Sequence, residues 1–145
     1  MTLAIYRKYR PKSFADLIGQ DYLVEIFRNA AKQGKIAQGY IFYGPRGTGK
    51  TTTARLVAKI ANCEAGKLEA GILEAGEPCN QCRVCQEIDA GRALDVIEID
   101  AASNRGIDEI RDLKESARLS PSSYRKKIFI IDEAHQLTKE AFNAL

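Results

Sequence analysis

The sequence predicts an α/β fold, a parallel sheet flanked by helices with a cysteine module inserted into it. Three observations carry this. Short apolar runs suited to buried strands stand at Tyr40–Tyr43, Asp95–Asp100 and Ile128–Ile131. Stretches with apolar residues at helical spacing follow the first two of them. Between the first helix of this series and the second strand, four cysteines interrupt the alternation.

The first strand leads into Gly44-Pro45-Arg46-Gly47-Thr48-Gly49-Lys50-Thr51, which reads G-x-x-x-x-G-K-[ST]. This is the Walker A pattern of a P-loop. Glycines leave the backbone free of Cβ atoms, so successive N–H groups can turn inward and cradle phosphate oxygens. Lys50 would place a positive charge on the β- and γ-phosphates, and the Thr51 hydroxyl would ligate Mg²⁺. The helix that follows, with Leu56, Val57 and Ile60 at helical spacing, adds its positive dipole end. The alternative is a glycine-rich turn without a ligand; the strand before it and the helix after it favour the phosphate loop.

Composition sets wide bounds. The chain has 145 residues, 45% of them hydrophobic and 28% charged, enough for one modest domain with its own core. A net charge of +3 permits nucleic-acid contact without arguing for it. No run approaches a membrane helix, and no signal-peptide core opens the chain, so a cytoplasmic location is expected. The last residues, Thr138 to Leu145, look like an opening helix that stops mid-pattern, which suggests a piece of a longer chain.

Ahead of the loop, Tyr6-Arg7-Lys8-Tyr9-Arg10-Pro11 interleaves aromatic and basic residues. They could stack on nucleic acid, line an adenine pocket or lie solvated. Phe14, Leu17 and Ile18 supply apolar anchors before Gly19. Asp21 is the expected N-cap of a helix whose apolar face is Leu23, Ile26, Phe27 and Ala30, with Gly34 at its end.

Past the loop, Cys63, Cys79, Cys82 and Cys85 form a C-x15-C-x2-C-x2-C pattern. Two adjacent C-x2-C steps bring three thiolates within reach of one tetrahedral Zn²⁺. Cys63 is the natural fourth ligand, although its spacing alone does not place it there. Four protein ligands would leave no open position for water, so the zinc would be structural. Reduced surface thiols are the alternative.

The second strand, Asp95–Asp100, is expected to be buried. The turn after it holds Asn104 and Arg105, which lead into a helix with Ile107, Ile110, Leu113 and Ala117 on one face. A helix N-terminus with an arginine can contact a phosphate backbone, and can equally be a capping turn. Ile128–Ile131 then runs into Asp132-Glu133-Ala134-His135. Four apolar residues ending in two acids form a Walker B pattern, roughly eighty residues after the Walker A loop. Asp132 would hold the Mg²⁺ shell, and Glu133 would polarise the attacking water.

With these residues in place, the chain resembles the AAA+ ATPases and, more closely, the gamma/tau family of bacterial clamp-loader subunits. The marks are Tyr9-Arg10-Pro11 with Phe14 to Gln20, the Walker A loop, the inserted cysteines, Glu98 to Ser103, and Asp132 to His135. The cysteine insertion is the most discriminating. The resemblance implies that residues 1–145 are the N-terminal part of an AAA+ ATPase domain, with an arm and helix over 1–36 and a zinc insertion over 63–90. It implies that Arg7, Tyr9, Arg10, Pro11, Ile18 and Gly19 border the adenine. It implies that Gly44, Arg46, Gly47, Thr48, Gly49, Lys50, Thr51 and Thr52 bind the triphosphate of ATP, with Lys50 and Glu133 catalytic. The turn from Ser103 to Gly106 would help the assembled loader follow DNA. Implied partners are other loader subunits, the sliding clamp and primer-template DNA; implied cofactors are ATP, Mg²⁺ and Zn²⁺.

The sensor, arginine finger, lid and collar of that family would lie beyond Leu145. So would a strand the family places between its Walker A and Walker B strands. The sheet is therefore expected to be incomplete, and the segment alone to fold poorly or hydrolyse ATP negligibly. Two other functions fit parts of the sequence. A DEAH-type helicase shares Gly47 to Thr51 and Asp132 to His135, but not the cysteines or the Arg-Pro lead-in. A non-hydrolysing zinc-bearing adaptor is opposed by an intact Lys50, Thr51, Asp132 and Glu133.

Overall fold

The structure, a computed structural model, describes residues 10–17, 19–42, 49–66, 73–102 and 107–144. The chain divides into two units, Met1–Arg92 and Ala93–Leu145.

The first unit is built on three helices, α1 (Asp21–Gln33), α2 (Lys50–Asn62) and α3 (Arg83–Ala90). Among the described residues, a 3-10 turn, Phe14–Asp16, precedes them. Gln20 is the N-cap of α1, and Asp21 is its first helical residue rather than the cap expected. There the carboxylate still sits at the positive end of the helix dipole. Gly34 ends the helix in a left-handed conformation, as expected. The buried face of α1 is Val24, Phe27 and Ala31, with Leu23 half-buried; Ile26, assigned to that face from spacing, is 40% exposed. The face is turned because Phe27 anchors it: its ring stacks on Phe14 at 5.7 Å and meets Tyr40 edge-on at 5.2 Å.

The expected strand at Tyr40–Tyr43 is a correction. Tyr40 to Phe42 form no ladder, and Tyr43 lies outside the described residues. Tyr40 and Phe42 instead pack their rings on Phe27, while Ile41 between them is 96% exposed. The side chains alternate as in a strand, but ring packing replaces backbone pairing.

Helix α2 is the centre of this unit. Its C-terminal half, from Leu56 to Asn62, is buried residue after residue. A helix covered on more than one face carries little amphipathic signal, so its spacing understates its burial. The core joins Leu56, Val57 and Ile60 to Phe14, Leu17, Phe27, Leu73, Cys63 and Cys85.

The second unit holds the sheet: β1 (Val96–Asp100) and β2 (Ile128–Asp132), joined by α4 (Ile107–Ala117) and followed by α5 (Lys139–Ala144). The strands pair in parallel, with Val96 opposite Ile128 and Asp100 opposite Asp132. Among the described residues the sheet has these two strands. Strand β1 was expected to be buried; Glu98 and Asp100 are exposed, and Val96, Ile97 and Ile99 are half-buried. With one ladder and partial cover, only Ile130 among the strand residues is fully buried. Asp95, expected within the strand, stands before it with a different task. Its carboxylate is 1% exposed and accepts from the backbone N–H groups of Ser122, Ser123 and Tyr124 at 2.7–2.8 Å. It thereby fixes the turn that feeds β2. Burial pushes its pKa up, but the three amides outweigh that and hold it below the ordinary carboxylate value. Lys127 closes the other side, donating to the Ser116 carbonyl at 2.7 Å and satisfying an end of α4.

Candidate functional site

The four cysteines converge. Their Sγ atoms all lie within 4.8 Å of one another, and no disulfide joins them. Cys63 is the residue that ends α2, so its place follows from the length of that helix. Cys79 and Cys82 flank a tight loop in which Asn80 takes φ 60°. Asparagine is among the few residues that tolerate this left-handed conformation. The loop turns backbone donors toward sulfur: Gln81 and Cys82 N–H donate to the Cys79 Sγ at 3.4 and 3.3 Å. Cys82 caps α3 by accepting from the Cys85 N–H at 3.4 Å, which sets Cys85 one turn into that helix. Cys79 N–H donates to the Cys63 Sγ at 3.4 Å.

This donor set fits zinc. A tetrahedral ZnS₄ centre with Zn–S near 2.3 Å has sulfurs about 3.8 Å apart, inside the 4.8 Å within which these four sulfurs lie. The protons are held unevenly. The Cys85 thiol, donating to its neighbour, brings Cys63 down to about 4 against the opposing effect of burial. The same contact pushes Cys85 up, and burial raises Cys79. Thiols crowded in this way exchange protons for a metal ion. Cys63 and Cys85 are buried, and Cys79 and Cys82 are half-buried.

Of the glycine-rich loop, Gly44, Arg46, Gly47 and Thr48 lie outside the described residues, as do Arg7, Tyr9, Ile18, Asn104 and Arg105. Gly49 is described and takes φ 79°, which an L side chain rarely adopts. Helix α2 starts immediately after it at Lys50, with Thr51 and Thr52 in the first turn. Those three side chains are half-buried. Thr53 closes the turn, its hydroxyl donating to the Gly49 carbonyl at 2.7 Å. Arg10 and Pro11 are half-buried outside regular secondary structure, and Gly19 is exposed at φ 76°.

In the second unit, Asp132 is the last residue of β2 and is exposed. Glu133 follows at φ 55°, an unusual conformation for a residue with a side chain. It is held there from several sides: its N–H donates to Asp132 Oδ1 at 3.0 Å, its carbonyl accepts from Gln136 at 2.9 Å, and its carboxylate lies 3.2 Å from His135 Nε2. Such backbone strain gathers where a side chain must be aimed.

Two residues that sequence reasoning missed, Glu77 and Lys59, tie the cysteine module to the rest of its unit. Glu77 accepts from the N–H groups of Phe14 at 2.7 Å and Ala15 at 3.0 Å, and pairs with Arg28 at 3.1 Å. Lys59, on α2, is 1% exposed and donates to the Lys12 carbonyl at 2.8 Å and to Asp89 of α3 at 3.0 Å. No local pattern marks a long-range carboxylate cap or a buried lysine in a helix of mixed composition.

The family described as "DNA polymerase III, delta subunit" matches residues 19–145. The chain is 47% identical over 142 residues to DNA polymerase III subunit tau of Bacillus subtilis, covering 98% of this chain and 24% of that protein. It is 46% identical to DNA polymerase III subunit gamma/tau of Mycoplasma pneumoniae, covering 100% and 20%. With DNA polymerase III subunit tau of Escherichia coli the identity is 43%, covering 96% and 20%. The chain thus spans a quarter or less of the length of these relatives. No described helix is long and apolar enough to cross a membrane.

Proposed function

We propose that this chain, which belongs to the DNA polymerase III subunit family and is similar to its gamma and tau members, carries the nucleotide-binding part of a clamp-loading ATPase. In this reading it has a P-loop fold. Gly44 to Thr52 bind the triphosphate, Thr51 and Asp132 hold Mg²⁺, and Glu133 aligns the attacking water. Arg7 to Pro11, Ile18 and Gly19 border the adenine. Asn104 and Arg105 touch the DNA backbone. The partners are the other loader subunits, the sliding clamp and primer-template DNA.

The observation that carries the reading is the start of α2. A left-handed Gly49 delivers the chain into a helix whose first residues are Lys50, Thr51 and Thr52. That places a helix N-terminus and a lysine together, the two elements a phosphate needs. The acid pair at the end of a parallel strand supports it, since ligands of α/β sheets bind at the carboxyl ends of strands.

Zinc in the four-cysteine site would fix the segment from Cys79 to Cys85 against the end of α2. A closed Cys₄ site supplies folding energy and no chemistry. The function is tested by Lys50→Ala in the full-length protein. Clamp loading should be abolished along with nucleotide binding. An unaffected loader would favour the adaptor reading.

A further inference from the structure

We propose that Glu77 is a positioning residue through which metal loading of the cysteine site sets the affinity for ATP; this rests on the nucleotide reading above. Glu77 stands two residues before Cys79. Its carboxylate reaches across the unit, over 60 residues back in sequence, to the N–H groups of Phe14 and Ala15. Those two amides open the Phe14–Asp16 turn and have no partner within it. The turn lies between Pro11 and Gly19, two of the residues assigned to the adenine.

Two further features hold the carboxylate in place. Arg28 pairs with it at 3.1 Å. Gly76, at φ 69°, lets the chain pass so close to α1 that a Cβ there would lie 2.8 Å from the Arg28 carbonyl oxygen. The remaining freedom of Glu77 is that of the chain leading to Cys79. A metal ion binding Cys63, Cys79, Cys82 and Cys85 removes that freedom by tying Cys79 to the end of α2. Metal and nucleotide then become linked ligands, each raising the affinity for the other by the same factor.

The test uses the full-length protein with zinc bound and after chelation, as wild type and Glu77→Ala. Three quantities are read: zinc content, hydrogen exchange at the Phe14 and Ala15 amides, and affinity for ATP and for inorganic tripolyphosphate. In wild type, chelation should speed exchange at both amides by tenfold or more and weaken ATP several-fold, with little change for tripolyphosphate, which has no base. Glu77→Ala should keep its zinc and show both effects already, and chelation should then add nothing to the loss of ATP affinity. Equal loss of ATP affinity on chelation in both proteins would overturn the proposal, as would wild-type ATP affinity in Glu77→Ala. If neither protein binds ATP, the nucleotide reading has failed; exchange at Phe14 and Ala15 that ignores zinc then overturns the metal linkage on its own.

Discussion

The Lys59 ammonium lies 3.0 Å from the Asp89 carboxylate, and the lysine side chain is 1% exposed. The pair joins the helix that starts after Gly49 to the helix that carries Cys85. Asp89 is 29% exposed, so solvent screens part of the interaction. Removing the acid leaves a buried ammonium held by the Lys12 carbonyl. We expect Asp89→Ala to cost about 2–3 kcal/mol in urea unfolding, below the range for fully buried pairs. Lys59→Met, which removes the charge and keeps the volume, should cost less. The reverse order would mean that the pair stabilises by attraction and not by satisfying a buried charge.

Asp95 gives the pH dependence. Its folded pKa is depressed, so its stabilisation is full above the unfolded carboxylate value and is lost as pH falls through the lower folded value. Asp95→Ala strands three backbone amides and should cost about 2–4 kcal/mol at neutral pH. Unfolding followed from pH 7 downward should lose stability more steeply in wild type than in the variant. Parallel profiles would show that the 122–124 turn does not depend on this charge.

The cysteine site should bind one zinc per chain. X-ray absorption should give four sulfur neighbours at about 2.3 Å. Cys63→Ser, at the end of α2, should lower zinc affinity as much as Cys82→Ser. Three sulfurs and one lighter neighbour already in wild type, unchanged in Cys63→Ser, would remove Cys63 from the ligand set.

Much of this was legible in residues and spacing. The C-x2-C steps named Cys79, Cys82 and Cys85, because they fix short-range geometry; Cys63 was expected as the fourth without its spacing placing it, and the end of α2 brings it to them. Gly34 and the start of α2 after Gly49 were readable from backbone chemistry. Tertiary effects were not. Tyr40 to Phe42 have a strand's composition, but Phe27 takes their rings. Ile26 fits the helical stripe of α1 and still faces outward, because Phe27 and Val24 set the rotation. Glu77 and Lys59 carry no local signal of their roles, and Asp95 was placed within the strand; only contacts across many residues give the three their work.

Glu133→Gln separates binding from turnover. The amide keeps the size of the side chain and loses the base. Nucleotide affinity in the full-length protein should stay within a few-fold, and hydrolysis should fall about 10²–10⁴-fold. Hydrolysis at the wild-type rate would assign the water to another residue.

The proposed function requires that the loop before α2 and the acids at the end of β2, Asp132 and Glu133, serve one metal-bound triphosphate. Electron paramagnetic resonance of Mn²⁺, titrated into the full-length protein with a non-hydrolysable ATP analogue, reads this directly. The account predicts one nucleotide-dependent Mn²⁺ with phosphorus hyperfine coupling, weakened at least tenfold by Lys50→Ala and by Asp132→Asn alike. A nucleotide-dependent Mn²⁺ signal that Lys50→Ala abolishes and Asp132→Asn leaves untouched would contradict it.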